Sequence, residues 1–390
     1  MTAETWVKGL LLGVPLALLL AQLLRGWGLW RLLALPAGAA AGVAITAWGP
    51  GGLTSYLVSF TLMGSIYAVL TLGLNVQWGY TGLFNIGVAA FFAMGAFTTA
   101  LVTTVPPTGP MAAFSQQAFG LGAPFLVGVV AAGVTSGLLA WLVGRPTLKL
   151  RDDYLAIATI GIAEVVRLFF QNERWLANGP QPLRGIPQPL ACLTGDGCAW
   201  LPSVVNDAFV ALGPRDYPYV YLAVAALVLA VVYLLLERMI ESPWGRVLRA
   251  VREEESSARM YGKDAASFKV QAFVVGAVVM GVGGALYAHY MASIDYSHFD
   301  PLYATFLIWV MLMLGGSGNN RGAILGAFVV WGIWSGTASL VDALRPALEF
   351  ISPELPGRAP YLRFLFISVL LLAILHLRPQ GMIGERRRVE

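Results

Sequence analysis

Apolar runs of helical length, broken by short polar or glycine- and proline-rich joints, follow one another from Gly9 almost to the C-terminus. Read by length and continuity, they predict helices at 9–24, 29–48, 54–76, 83–105, 124–144, 154–171, 218–236, 268–291, 302–315, 322–342 and 361–377. A hydrocarbon core of about 30 Å needs about 20 apolar residues, and most of these runs supply them. Those at 154–171 and 302–315 are short enough to be tilted, re-entrant or partly spanning, so about eight to eleven crossings are expected. A β-barrel would show short alternating strands instead of continuous stretches rich in Leu, Ala, Val and Gly. The expected fold is therefore all-α, a polytopic membrane helix bundle in which residues 1–390 form a single transmembrane domain. The run after Lys8 continues past any small-residue cleavage site into a second apolar segment, so a retained helix is expected there.

Composition agrees with the pattern. Of 390 residues, 57% are hydrophobic and 12% charged, about half the charged share of an ordinary soluble domain. The formal net charge of +4 raises the question of nucleic acid. The placement of the basic residues excludes it, because they lie in short loops beside apolar helices rather than along one exposed face.

The same placement sets orientation. If 237–267 is cytoplasmic, alternation puts Arg25, Arg31, Arg145, Lys149, Arg151, Arg378 and Arg386 to Arg388 on that side, with the basic residues of 237–267 itself. The bias predicts a cytoplasmic C-terminus. The longest segment on the opposite side, 172–218, is an expected external loop. It holds both cysteines, Cys192 and Cys198, whose spacing in an oxidising compartment permits either a disulfide or two free thiols.

Ser242 to Lys269 is the one strongly charged stretch between two apolar runs. Ser242 before Pro243 suits a helix start, giving a side-chain oxygen for free amides and a proline where its missing N–H does no harm. Arg246, Arg249, Arg252 and Glu253 give a polar face, Leu248 and Val251 an apolar one. A second short helix is expected from about Ser256 to Gly262, a residue that tolerates the left-handed stop, with Asp264 capping the next span. Two short helices with tight stops make a stiff knob, able to transmit force; the alternative is a solvated loop whose arginines only fix orientation.

This segment, GRVLRAVREEESSARMYGKDAASFKVQAF, resembles the cytoplasmic coupling region of branched-chain amino-acid ABC transporter permeases, a family that includes urea and short-chain amide permeases. Four further stretches fit the same family in the same order: GLNVQWGYTGLFNIGVAAFFAMGAF at 73–97, LKLRDDYLAIATIGIAEVVRLF at 148–169, GALYAHY at 284–290 and GGSGNNRGAILGAF at 315–328. LRPQGMIG at 377–384 fits as well. One signature is degenerate, since Ser256, Ser257 and Ala258 stand where many ABC permeases carry Glu-Ala-Ala six residues before a glycine.

The resemblance implies a machine of several chains: a second homologous permease, two ATP-binding subunits, and a periplasmic or extracellular solute-binding protein, all around a chain bathed in lipid. It implies ATPase coupling through Arg246, Arg249, Arg252, Glu253, Glu254, Glu255, Met260 and Gly262. It implies no cofactor and no catalysis within this chain, and the residues agree: the glycine-rich GGSGNNRG lacks the Lys-Ser/Thr of a phosphate loop.

Two glycine-punctuated breaks, Gly73 to Gly87 and Gly315 to Gly326, look like corresponding positions of an internal repeat. Breaks in paired halves point to a transport site, because unwound backbone and half-helix ends offer N–H and C=O groups to a substrate. Asn75, Gln77, Thr81 and Asn85 at the first, with Ser317, Asn319 and Asn320 at the second, are candidate path residues. Equally, the glycines could serve close packing and the polar groups tight turns. Glu164 is a carboxylate well inside an apolar run, where a lone charge costs about 2.5 to 3.5 kcal/mol. Arg167, one turn on, is expected to pair with it in the bundle interior. The three histidines fall near predicted span ends, which suits interfacial anchoring. No metal-ligand spacing and no nucleophile with a base is present. The leading reading is an ATP-driven importer of branched-chain or related amino acids. Urea or short amides as cargo, or an ion-coupled secondary carrier, are the alternatives.

Overall fold

The computed structural model describes residues 3–23, 28–49, 51–106, 116–194, 198, 206, 209, 212–351, 354, 358, 361–377 and 380–384. Arg25, Arg378 and Arg386 to Arg388, which contribute to the charge bias, lie outside the described residues. The principal helices are α1 (Ala3–Leu23), α2 (Gly28–Trp48), α3 (Gly51–Leu74), α4 (Val88–Thr103), α5 (Phe125–Thr147), α6 (Asp152–Asn172) and α7 (Tyr217–Glu241). After them come α8 (Pro243–Glu253), α9 (Glu255–Met260), α10 (Ala265–Met291), α11 (Leu307–Gly315), α12 (Asn320–Ile351) and α13 (Leu362–Leu377).

Helices α3, α4, α10 and α11 form the centre. Helix α3 is apolar all round, so it belongs inside, and Leu62, Ile66, Leu70, Leu72 and Leu74 are fully buried there. Helix α5 packs on α4 and α10, the α1–α2 hairpin leans on α7, α6 lies on α4, and α13 lies on α12. The outer stripe of α5, with Leu126, Val130, Val134 and Leu138, is apolar and exposed, as is Leu365, Val369 and Leu372 on α13. Apolar inside and apolar outside is what a lipid solvent requires, and the chain is an all-α membrane helix bundle. Gly52–Gly79, Phe125–Thr147, Pro214–Glu241 and Ala265–Met291 are each long and apolar enough to cross a membrane.

Where lipid tails are as apolar as leucine, helices gain from close packing rather than from leaving water. At the α4–α10 crossing a Cβ on Gly95 would collide with the Gly281 backbone, and one on Gly284 with the Phe92 carbonyl. The α11–α12 crossing repeats the device with Gly315, Gly322 and Gly326.

The helix expected over 83–105 begins later, at Val88. Helix α3 instead widens into a π-helical turn, Asn75–Gly79, and the chain then runs non-helically to Gly87. Gly82 sits at φ +76°, a left-handed conformation that glycine adopts without strain. A second π-helical turn, Leu302–Phe306, opens α11. Between α6 and α7, β1 (Leu183–Arg184) pairs antiparallel with β2 (Ser293–Ile294), with Leu183 opposite Ile294. His289 is fully buried, its Nδ1 2.7 Å from the Pro187 carbonyl. It therefore pins this segment to the end of α10.

Candidate functional site

Helices α8 and α9 project from the bundle as a compact knob. Pro243 opens α8 as expected, but the Ser242 hydroxyl turns back and donates to the Met239 carbonyl at 2.6 Å, leaving the helix start without a side-chain cap. Leu248 is fully buried, and Val251, Ala258 and Ala265 make a small core that holds α8 and α9 to the foot of α10. Helix α9 spans Glu255–Met260 and stops at Gly262, which is left-handed at φ +73°. The Asp264 carboxylate accepts from the Ser267 amide at 3.3 Å and caps α10.

The charged residues of the knob divide by what they touch. Arg246, Glu253 and Glu254 are exposed. Glu255 binds Lys269 and Arg259, each at 2.5 Å, and so ties α9 to α10. Burial pushes its carboxyl up, but these two cations together hold it below the usual carboxylate range. Arg249 reaches the Ile240 carbonyl at 3.5 Å. Arg252 donates to the Gly79 carbonyl, and its side chain lies against Gly82. At the free end, Met260 and Tyr261 are 86% and 85% exposed, an apolar tip beyond the last turn of α9.

Gly79 closes the first glycine break, and behind it stands a buried network. Asn75 Nδ2 donates to Asn320 Oδ1 at 2.9 Å, and Asn75 Oδ1 accepts from the Gly318 amide at 2.9 Å. Asn320 in turn donates to Glu237 at 3.1 Å. Gln77 Nε2 donates to the Phe273 carbonyl at 2.7 Å, and Asn85 Nδ2 to Gln77 Oε1 at 2.7 Å. The Asn85 carbonyl accepts from Trp309 Nε1, while the Thr81 hydroxyl donates to Val76. Asn75, Gln77, Asn85 and Asn320 are essentially fully buried, Thr81 nearly so. The two breaks therefore meet, and they form a sealed joint.

Every one of these asparagines and Gln77 spends its polar atoms on other parts of the chain. Asn319 and Ser317 are half-buried at the rim, where Asn319 donates to the Gly384 carbonyl at 3.1 Å. The C-terminal segment adds to this closure, with Met382 and Ile383 amides donating to Leu314 and Gly315. Sequence reasoning missed Glu237 and Trp309. Glu237 is the first acidic residue after an apolar run, a position that reads as a loop charge.

Glu164 and Arg167 do pair, through Arg167 Nε to Oε2 at 2.9 Å and Nη2 to Oε1 at 2.5 Å. The pair is not in the bundle interior. Glu164 is 40% and Arg167 20% exposed. Helix α6 buries Leu155, Ala156, Thr159, Ala163 and Phe170, and the pair sits on the flank of that stripe, where Arg167 approaches the Tyr296 ring. Cys192 and Cys198 are joined by a disulfide, with Cα atoms 5.0 Å apart. Among the described residues no group of three His, Cys, Asp or Glu is placed to hold a metal ion.

A knob with a free apolar tip is thus rooted in a glycine-broken joint of a membrane helix bundle. A family profile described as "Branched-chain amino acid transport system / permease component" matches residues 56–375, and the chain belongs to this family. It is similar to the high-affinity branched-chain amino acid transport system permease protein LivM of Salmonella typhimurium, with 30% identity over 88% of this chain and 74% of that protein. The probable branched-chain amino acid transport permease protein LivM of Methanocaldococcus jannaschii is 26% identical over 85% of this chain and 94% of its own length. The permease protein LivH of Salmonella typhimurium is 20% identical over 83% of this chain and 92% of its own. No solved structure matches.

Proposed function

We propose that this chain forms half of the translocation path of an ATP-driven importer for branched-chain or related amino acids. The observation that carries the reading is the two-ended knob: Met260 and Tyr261 project freely, while Arg252 at the root holds Gly79. A partner that grips the tip displaces the root, and the root is attached to the joint between the two glycine breaks. The partner is an ATP-binding subunit, two of them serving two permeases. Closure of the ATPase pair then biases the bundle between outward-open and inward-open states.

The second permease is a homologue rather than a copy. Salmonella typhimurium has both a LivM and a LivH protein similar to this chain, and LivM is the more similar. A solute-binding protein delivers cargo on the opposite side. In this reading 237–267 is the cytoplasmic coupling loop, 172–218 the external loop, and the C-terminus is cytoplasmic in a bacterial inner membrane. The bundle makes eight to eleven crossings, and the two breaks are equivalent points of an internal repeat.

Extraction of the tagged chain in mild detergent, followed by mass spectrometry of what stays bound, tests the assembly. Recovery of an ATPase and a second permease is expected. ATP-dependent leucine uptake that survives collapse of ion gradients is expected in liposomes. Uptake that instead follows the gradients, with no ATPase recovered, would establish a secondary carrier.

A further inference from the structure

Helix α6 carries a charged pair where a lipid-facing helix carries none. Its 21 residues span about 31 Å, and Glu164 stands about 18 Å from the start, well inside any hydrocarbon layer that α6 crosses. The outward stripe of neighbouring α5 shows what a lipid face of this chain looks like: Leu126, Val127, Val130, Val134 and Leu138. On α6 the outward stripe runs Tyr154, Ile157, Gly161, Glu164 and Leu168, at helical spacing. Ionisable groups at such a depth face protein or a water-filled cavity, not acyl chains.

Gly161 is an independent sign. A Cβ added there would meet nothing within 4 Å, so no packing inside this chain requires glycine. Glycine nonetheless weakens a helix interior, and one turn before Glu164 it opens a notch beside the carboxylate. The notch gives a small molecule access to the pair.

The pair has capacity left. Its two hydrogen bonds engage Nε and Nη2 of Arg167, while the Nη1 edge carries further donors. A carboxylate with two oxygens accepts about four hydrogen bonds, of which Arg167 takes two. The Tyr296 ring, its centroid 5.7 Å from the guanidinium, closes one flank. An ion pair with donors left over on one partner and lone pairs left over on the other matches a ligand that holds both charges on adjacent atoms.

We propose that Glu164 and Arg167 line the substrate path where this chain meets the second permease, and that they receive the zwitterionic head of an α-amino acid. Arg167 takes the α-carboxylate on its open edge and Glu164 takes the α-ammonium beside Gly161. A neutral amide of the same size offers neither charge, and the site rejects it. This rests on the importer reading above.

The test uses the whole importer, both permeases with ATPases and binding protein, in liposomes. The chain's only two cysteines are bonded to each other, so Gly161→Cys adds a single thiol in empty space. A charged, membrane-impermeant methanethiosulfonate is expected to label it and to stop uptake, and leucine with ATP is expected to slow labelling several-fold. Glu164→Gln and Arg167→Gln are each expected to lower leucine uptake at least ten-fold with assembly and ATP hydrolysis retained. Glu164→Asp and Arg167→Lys should recover part of it. Labelling by N-ethylmaleimide alone places the face in lipid and overturns the proposal. A spontaneous crosslink to the second permease without charged-reagent access marks a dry interface and overturns it too. If the charge variants fail to assemble, the Gly161→Cys labelling decides by itself. A wild-type importer that takes up no leucine sinks the importer reading instead, before any variant is compared.

Discussion

Arg252, in the last turn of α8, donates its guanidinium hydrogen bond to the backbone carbonyl of Gly79, 173 residues earlier in the chain. A backbone carbonyl at the end of a π-helical turn is a point where the helix ladder has already been disturbed, so it is free to accept from outside. The bond makes the knob and the joint one mechanical unit. It also moves Arg252 from the set of residues that could touch an ATPase to the set that pass the movement inward.

Replacing Arg252 with alanine should therefore separate binding from coupling. The variant should still recover the ATPase subunit on purification, because the tip of the knob is untouched. Leucine uptake should fall at least several-fold while ATP hydrolysis continues, an uncoupled machine. Uptake and hydrolysis measured on the same liposomes check this, and proportional loss of both would place Arg252 in the ATPase contact after all.

Met260 and Tyr261 make the opposite prediction. Both lie beyond the small core of Val251, Ala258 and Ala265, so polar replacements disturb no packing within the chain. Large exposed apolar groups at the tip of a charged knob are typical anchors for a partner surface, where a few such side chains hold most of the binding energy. Met260→Asp with Tyr261→Asp should abolish ATPase recovery in a pull-down. The thermal midpoint of the purified chain should stay within a degree of wild type.

Asn75→Leu tests the sealed joint. The leucine keeps the branched shape but is larger, and it strips partners from the Gly318 amide and from the Asn320 side-chain carbonyl. A buried polar group left unpaired costs roughly 1 to 3 kcal/mol. Both losses fall in one place, so the detergent-solubilised chain should melt several degrees lower in a scanning-fluorimetry series. Asn75→Asp should also weaken the joint, because it removes the amide donor to Asn320. A Thr81→Val control, which removes only a local hydroxyl bond to Val76, should change the midpoint far less.

How far these features could be read in the sequence depends on the force that creates each. The helices were legible because lipid solvent demands long apolar runs. Pro243, Gly262 and Asp264 were legible because stops and caps use local chemistry. The pairing of Asn75 with Asn320 was not, since 245 residues separate them and an amide in an apolar run looks alike whether it seals a joint or faces a path. The outward aim of Glu164 was hidden for a related reason. In a lipid-solvated bundle the charged side of a helix does not mark the solvent side, so the polarity of α6 does not say which face packs on the core. Ser242 had the right residue at the right place, yet its hydroxyl found the Met239 carbonyl of the preceding helix closer than the amides ahead.

Glu255 gives the knob a pH dependence whose sign follows from its partners. Burial raises its carboxyl, the Lys269 and Arg259 contacts lower it, and the net position is below the ordinary value of 4.5. A carboxyl held low in the folded state contributes stability that is fully present above the unfolded value. That contribution starts to fall as the pH drops through about 4.5 and is lost as it passes the lower, folded value. The α9–α10 tie should therefore hold unchanged from neutral pH to about 5 and then loosen on further acidification. Acid protease sites in 254–264 should open over that interval in wild type, read by limited proteolysis with an acid-active enzyme. Glu255→Gln cannot ionise, so it should start more open at neutral pH and show no change across the interval. A wild-type profile as flat as that of the variant would mean that the two ion pairs do not hold α9, and that the small apolar core alone keeps the knob in place.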